Sequence, residues 1–173
     1  MNGGRIDAIE PSHFRRVMSR FATGVTVIVA TANGETRGMT ANAFMSGSLE
    51  PPLCLVSIAQ RAHMHLHLHA APSFSVNILA AGQENYATHF AGRPIPGLAA
   101  AFASLAGVPT FAGASAQIAA EIVTNHSCGD HTIFIGRIRA MITDERAPLL
   151  YHAGRYAALG PTRAPDAPVP EFW

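Results

Sequence analysis

The sequence contains no lysine, so all twelve of its basic side chains are arginines, balanced by eleven acidic residues to a net charge of +1. No basic stripe is left to displace counterions from a phosphate backbone, and nucleic acid is excluded as a partner. Charge of either sign is scarce: charged residues make up 13% of the chain, about half the share in an average soluble domain. Cysteine is scarcer still, with only Cys54 and Cys128, far apart and without a Cys-x-x-Cys spacing. That excludes a disulfide framework and a zinc site and predicts a reducing, cytoplasmic setting. No run of about eighteen apolar residues is present to cross a bilayer, and residues 1–5 lack the apolar run of a signal peptide. A soluble protein with no membrane partner is expected.

What is abundant is apolar matter, 49% of 173 residues. This length fits one domain, able to bury about 70% of its unfolded surface without staples, and the apolar excess predicts that some surface closes a subunit interface. After Pro11 the residues Phe14, Val17, Met18 and Phe21 recur at the spacing of an amphipathic helix, with Arg15, Arg16 and Arg20 toward water. Residues 24–31 are rich in β-branched side chains and run into Asn33-Gly34, a strong hairpin signal, with 36–40 as the returning strand. Residues 53–58 and 74–79 are apolar runs that each follow proline and read as buried strands.

Residues 61–70 read as a short helix, and the alanine-rich stretches 80–91 and 98–105 as helices packed on a sheet. Strands are expected over 118–124, 132–141 and 155–159, and no fixed-period repeat appears. Hairpin signals without βαβ alternation predict a mainly β fold, an antiparallel sheet closed into a barrel with peripheral helices, and disfavour a Rossmann domain. The domain is expected over residues 1–160. The tail 161–173 holds four prolines and is expected to be a disordered or extended arm.

Several segments together resemble one family. Residues 20–25 (Arg-Phe-Ala-Thr-Gly-Val) and 38–53 (Gly-Met-Thr-Ala-Asn-Ala-Phe-Met-Ser-Gly-Ser-Leu-Glu-Pro-Pro-Leu) resemble the signature of the flavin reductase-like, FMN-binding split-barrel family. Residues 74–79 are similar to its F-x-V-N-x-L strand, Gly129-Asp130-His131 to its G-D-H turn, and 148–156 to its closing motif, so order and spacing agree over residues 12–160. The resemblance implies a Greek-key split barrel that forms a homodimer, with FMN or FAD along the barrel wall near the subunit interface. It implies an NAD(P)H-dependent flavin reductase, with NADH or NADPH as hydride donor, that supplies reduced flavin by diffusion to a partner monooxygenase. Many members read T-x-N-S-F-x-S-V-S, whereas Ala43 and Gly47 stand here at the second serine and the valine. Members also carry Ser and Thr near the phosphate, where Ala62 and Met64 flank His63.

The chemistry of these residues suits a flavin. A flat apolar ring with one polar edge needs a broad surface and a few fixed donors and acceptors. The segment 40–49, taken as a loop, offers that mixture through Thr40, Ala41, Asn42 and Ala43, with backbone N–H groups around Ser46, Gly47 and Ser48 to bond a ring carbonyl and stabilise charge on it. Ser57 and Asn77 are polar residues on apolar strands and need buried partners, which a ribityl chain, a phosphate or a backbone carbonyl would equally supply. Arg61 and His63 are candidates for the flavin phosphate, Phe90 and Tyr156 for its surroundings, and Arg16, Arg20 and Arg93 for phosphates of either cofactor.

His131 follows the turn, and its family counterpart lies close to nicotinamide and flavin. Because hydride transfer needs the two rings held about 3 to 3.5 Å apart and no general base, His131 is assigned to positioning the nicotinamide or balancing charge. The alternation His63-Met64-His65-Leu66-His67-Leu68-His69 invites a metal reading. On a helix only the pairs 63/67 and 65/69 share a face, without adjacent carboxylates or thiolates, so no metal is assigned. Two alternatives keep the fold: a non-catalytic flavin-binding protein or carrier, and a pyridoxamine-phosphate-oxidase-like or haem-associated barrel. The latter needs a phosphate clamp of several arginines and lysines, for which this chain is poorly supplied.

Overall fold

The computed structural model describes residues 9–160; the tail 161–173 lies outside the described residues. Helix α1 (Pro11–Met18) opens on a proline at its first turn, where the missing N–H costs nothing. A two-residue strand β1 (Thr23–Gly24) leads into the hairpin β2 (Thr26–Ala32) and β3 (Glu35–Ala41). Its two linking residues, Asn33 (φ 52°) and Gly34 (φ 78°), both take the left-handed conformation that a tight right-twisted hairpin requires. After Ala41 come β4 (Phe44–Leu49), β5 (Pro52–Ala59), α2 (His63–Ala70), β6 (Ser73–Ile78) and α3 (Glu84–Phe90). A small hairpin, β7 (Phe102–Leu105) with β8 (Val108–Phe111), is followed by the long pair β9 (Ala116–Cys128) and β10 (His131–Thr143), then β11 (Leu150–His152) and β12 (Arg155–Ala157).

Seven strands form one antiparallel sheet in the order β3-β2-β6-β9-β10-β5-β4. Its two edges, β3 and β4, are consecutive in the chain. Across a flat sheet they would lie roughly 29 Å apart, six spacings of about 4.8 Å, whereas the link from Ala41 to Phe44 reaches at most about 11 Å. The sheet therefore curls until its edges meet, joined there by the chain and not by a ladder of hydrogen bonds, which is a barrel with a split. Alternation along the strands fills it: Ile28, Ala30, Cys54, Val56, Ile58, Phe74, Val76 and Phe134 point inward, and α2 adds Met64 and Leu68. Burial pushes the Cys54 thiol up to about 11.

The opposite faces of β2 and β6 are covered by a second layer, in which Val27, Val29 and Leu79 meet Ala87 of α3, Phe111 of β8 and Leu149. Two expectations fail. Residues 98–105, expected as a helix, contain β7, whose partner β8 packs on β6. Alanine content suggested a helix there, but Ala106 (φ 50°) and Gly107 (φ 80°) make a two-residue turn without the asparagine that usually marks one. The segment 40–49, expected as a loop, is the end of β3 and the strand β4, its irregularity confined to a bulge between Ser46 and Ser48.

Candidate functional site

The outward residues of β5 and β10, Leu55, Ser57 and Ile133, floor an open cleft of about 980 Å3. Phe44 and Met45 of β4 form one wall, Tyr151 of β11 another, and Phe14, Met18 and Phe21 approach from the N-terminal segment. The helix expected from residue 11 is thus present, but its apolar stripe enters no core. No residue of α1 is buried, and Phe14 and Phe21 are 54% and 75% exposed. Asn42 at the split, Ser57 on the floor and Thr23 on β1 interrupt this apolar lining, and Arg15, Arg16 and Ser19 of the N-terminal segment add polar groups to it. The Thr23 hydroxyl is buried and finds no hydrogen-bond partner among the described residues. An orphaned hydroxyl on the wall of an apolar cleft marks a place where a bound molecule supplies the missing partner.

The cleft does not end at the split. Asn42 and Tyr151 also border a hollow of about 250 Å3 with Thr40, Ala41, Ala91 and Tyr156. Thr40 and Ala91 in turn border one of about 580 Å3 with Arg37, His63, His89 and Phe90. Thr40 Oγ1 donates to the Ala87 carbonyl at 2.7 Å, which fixes α3 along the outside of β3. Gly38 lets Phe90 lie flat on that strand, since a Cβ there would stand 2.6 Å from the Phe90 ring. The hollow is less apolar than the cleft, and it borders the first turn of α2, whose N-cap, Ala62, offers no side-chain hydrogen bond to the backbone N–H groups there. Arg37, the two histidines and those N–H groups together suit an anion.

His131 stands on the outward face of β10 two residues from Ile133, roughly 7 Å along the strand, at the rim of the cleft. Its Nδ1 donates to Asp130 Oδ1 at 2.7 Å. The hydrogen bond from His131, then its charge, hold the Asp130 carboxyl below its ordinary value, with a smaller contribution from the Arg61 charge. Gln60 braces the same turn, its backbone N–H donating to the Asp130 carbonyl at 2.9 Å. Arg61, expected at the phosphate, thus lies near the Asp130 turn and is absent from the walls of the cleft and its two hollows.

Other expected residues lie elsewhere. Ser46, Gly47 and Ser48 sit farther along β4 than Met45 and do not line the cleft. Asn77 is fully buried on the far side of β6. Its Nδ2 donates to the Val27 carbonyl and Ser75 Oγ, both at 2.9 Å, and its Oδ1 accepts from the Phe111 N–H at 2.8 Å, so the chain itself supplies every partner Asn77 needs. Of the arginines, Arg16 borders the cleft and bonds His13, while Arg20 and Arg93 do not border it. The histidine run splits as a helix dictates. His65 and His69 meet edge to face at 4.7 Å beside Phe134, and His67 bonds the Ala30 carbonyl at 3.1 Å. The sequence reading missed the cleft's aromatic and aliphatic walls, because apolar residues on a strand read as core whichever face they occupy.

A profile of the flavin reductase like domain matches residues 18–160. The chain is 40% identical over 161 residues to an NADH-dependent flavin reductase of a Rhodococcus species, covering 90% of this chain and 91% of that one. It is 39% identical over 147 residues to the reductase component of 4-hydroxyphenylacetate 3-monooxygenase of Thermus thermophilus, covering 84% and 95%. Among solved structures, the flavin reductase PheA2 in its native state superposes with a TM-score of 0.86 at 41% identity, covering 88% of this chain and all of the other.

Proposed function

We propose, since the chain belongs to the flavin reductase like domain family, that the cleft over β5 and β10 receives the flavin ring and that the hollows along β3 receive its tail. The protein is an NAD(P)H:flavin oxidoreductase that reduces FMN or FAD and serves a flavin-dependent monooxygenase. The observation that carries the assignment of the cleft is the unpartnered Thr23 hydroxyl in an apolar wall beside Asn42 and Ser57. A tricyclic ring with one polar edge matches that lining: its faces lie on Leu55, Ile133, Met45 and Tyr151, and its edge meets Thr23, Asn42 and Ser57. When bound, the flavin supplies the hydride acceptor.

The chain's own contribution is placement. Thr23, Asn42 and Ser57 fix the ring edge, and Ala43, small beside them, leaves room for it. Thr40, Ala41 and Tyr156 border the path of the tail, while Arg37, His63 and the first turn of α2 meet phosphate, with Phe90 closing the outer side. Ser46, Gly47, Ser48 and Arg61 stand outside this path, and Asn77 belongs to the fold. His131 acts at the rim: Asp130 accepts from Nδ1 and holds the imidazole in one orientation, leaving Nε2 for a ligand. Such a group suits the carboxamide of a nicotinamide and leaves proton abstraction out of its role.

Residues 1–160 are read as one domain, supported by the single sheet running from β2 to β10. A homodimer is supported by the exposed Met45 and Leu49 on β4 and by Phe14, Met18 and Phe21 at the cleft mouth, an apolar surface that a second copy would cover. A cytoplasmic location is supported by the free thiols Cys54 and Cys128; no helix among the described residues is long and apolar enough to cross a membrane. The test is anaerobic: protein with NADH and added FMN or FAD should bleach the flavin absorbance, and Thr23→Val should weaken flavin binding. Normal flavin affinity in that variant would remove the cleft from the proposal.

A further inference from the structure

Gly47 has no backbone reason to be glycine. Its φ lies outside the left-handed region that turn residues such as Gly34 (φ 78°) occupy, so its conformation is open to other residues. It sits at the bulge of β4, between Ser46, opposite Cys54, and Ser48, opposite Leu53. What keeps a side chain out is Leu55 on the neighbouring strand: a Cβ at residue 47 would overlap Leu55 Cδ1 and stand 3.6 Å from Leu55 Cγ. Leu55 belongs to the floor of the cleft, and this floor residue leans sideways into the space that a side chain on β4 would fill. Gly38 and Gly136 likewise make room, for the rings of Phe90 and Phe74, but neither ring borders this cleft.

We infer that Gly47, acting through Leu55, sets the room at the apolar end of the cleft, so that the enzyme accepts flavins carrying extra bulk on the benzenoid edge of the ring. The inference rests on the flavin reading of the cleft. The orientation follows from the polarity of the walls. Asn42, Ser57 and Thr23 cluster at one end: the Ser57 N–H donates to the Ala43 carbonyl at 3.0 Å, next to Asn42, and Thr23 pairs with Tyr151, which borders the same hollow as Asn42. Leu55 lies two residues from Ser57 along β5, roughly 7 Å away, between Met45 on β4 and Ile135 on β10. A ring whose carbonyl edge meets the polar end lays its opposite, benzenoid edge over Leu55. With glycine at 47, Leu55 lies low and the space above it is open. A side chain at 47 takes the space that Leu55 uses, and because Met45 and Ile135 flank Leu55 on both sides, its terminal methyl groups must then rise into the cleft. Leu55 touches the ring and decides which substituents fit; Gly47 positions Leu55.

Titration calorimetry tests this with FMN and with an FMN analogue whose 8-methyl group is replaced by isopropyl, a change of bulk without a change of charge. The unaltered protein should bind the two within about threefold of each other. Gly47→Val should weaken the analogue about tenfold or more, the range that an extra carbon or two commands in an apolar pocket, and FMN by less than about threefold. Adding Leu55→Ala to Gly47→Val should bring the two affinities back together, a rescue that simple damage to β4 does not produce. Gly47→Ala asks less of the fold and should move the same ratio in the same direction by about threefold, which keeps the test intact if the valine variant does not fold. An unaltered protein that already rejects the analogue about tenfold, folded variants that leave the ratio unchanged, or variants that weaken both flavins alike would each overturn the inference and leave the flavin cleft standing. Failure of the unaltered protein to bind FMN would instead bring down the cleft assignment itself.

Discussion

The barrel has two outer walls of opposite character. Over β2 and β6 the wall is sealed: α3 and the β7–β8 hairpin lie on it, Asn77 spends its amide on Val27, Ser75 and Phe111, and Gln117 donates to the Phe111 carbonyl at 2.9 Å. Over β4, β5 and β10 the wall is bare: Met45 is 60% exposed and Leu49 76%, and the Thr23 hydroxyl, which borders the same cleft as Met45, has no partner among the described residues. Both walls carry polar residues on apolar strands, and by pattern alone they look the same. The difference is who supplies the hydrogen bonds. Where the chain supplies them the residue holds the fold, and where it does not and the residue also borders the cleft, the residue is available to a ligand.

The sharpest way to break this contrast is to cut the sealed side. Asn77→Ala strips the buried Phe111 N–H of its acceptor and the Val27 carbonyl of its side-chain donor, while Ser75 keeps its bond to the Pro109 carbonyl, and should cost roughly 3 kcal/mol of stability in urea unfolding. Flavin affinity of the molecules that remain folded should not change. A variant of normal stability that no longer binds flavin would return Asn77 to the site and erase the distinction.

Two threonines sharpen it further. Thr23 and Thr110 each bury a hydroxyl without a partner among the described residues, but Thr23 borders the cleft and Thr110 lies in β8 within the sealed wall, fully buried. Thr23→Val should weaken flavin binding about fivefold to tenfold, the loss of one hydrogen bond of about 1 kcal/mol. Thr110→Val removes an unpaired polar group and should raise stability by about 1 kcal/mol, with flavin affinity untouched. Opposite results in the two variants would mean that burial without a partner says nothing about a site here.

The barrel itself was readable because hairpin punctuation and period-two alternation act locally: Asn33-Gly34, Pro51-Pro52 and the runs at 53–58 and 74–79 each specify their own strand. The β7–β8 hairpin was not readable, since its turn is Ala106-Gly107 and its stability comes from Phe111 and Asn77, 34 residues apart. The candidate site divided in the same way. Asn42 and Ala43 lie in the motif, Ser57 stands out as a polar residue on an apolar strand, and all three reach the cleft, whereas Phe14, Met18 and Phe21 read as the apolar stripe of an amphipathic helix. An amphipathic period states that a face avoids water; it does not state whether core, ligand or a second subunit covers it.

His131 tests the rim between the two walls. His131→Ala should raise the KM for NADH about fivefold, the value of one modest hydrogen bond, with flavin affinity kept. Asp130→Asn should shift the same parameter in the same direction, because it loosens the imidazole through the bond at Nδ1. An unchanged KM in His131→Ala would make the imidazole a structural part of the turn.

The smallest effect belongs to the helix that plugs the barrel. His65 is held below its ordinary value of 6.5, first by desolvation and then by the neighbouring His69, and its Nε2 meets Thr132 Oγ1 at 2.9 Å. Below about pH 6.5 the unfolded chain takes up a proton at His65 that the folded protein resists, so the unfolded state binds more protons and stability is lost as the pH is lowered. The contribution is whole above that value, declines as pH drops toward the lowered folded value, and is then spent. The urea midpoint should therefore fall between neutral and mildly acid pH, and His65→Gln should flatten that slope. If the variant keeps the full slope, other groups drive the acid loss, and the plug formed by α2 owes nothing to the neutrality of this imidazole.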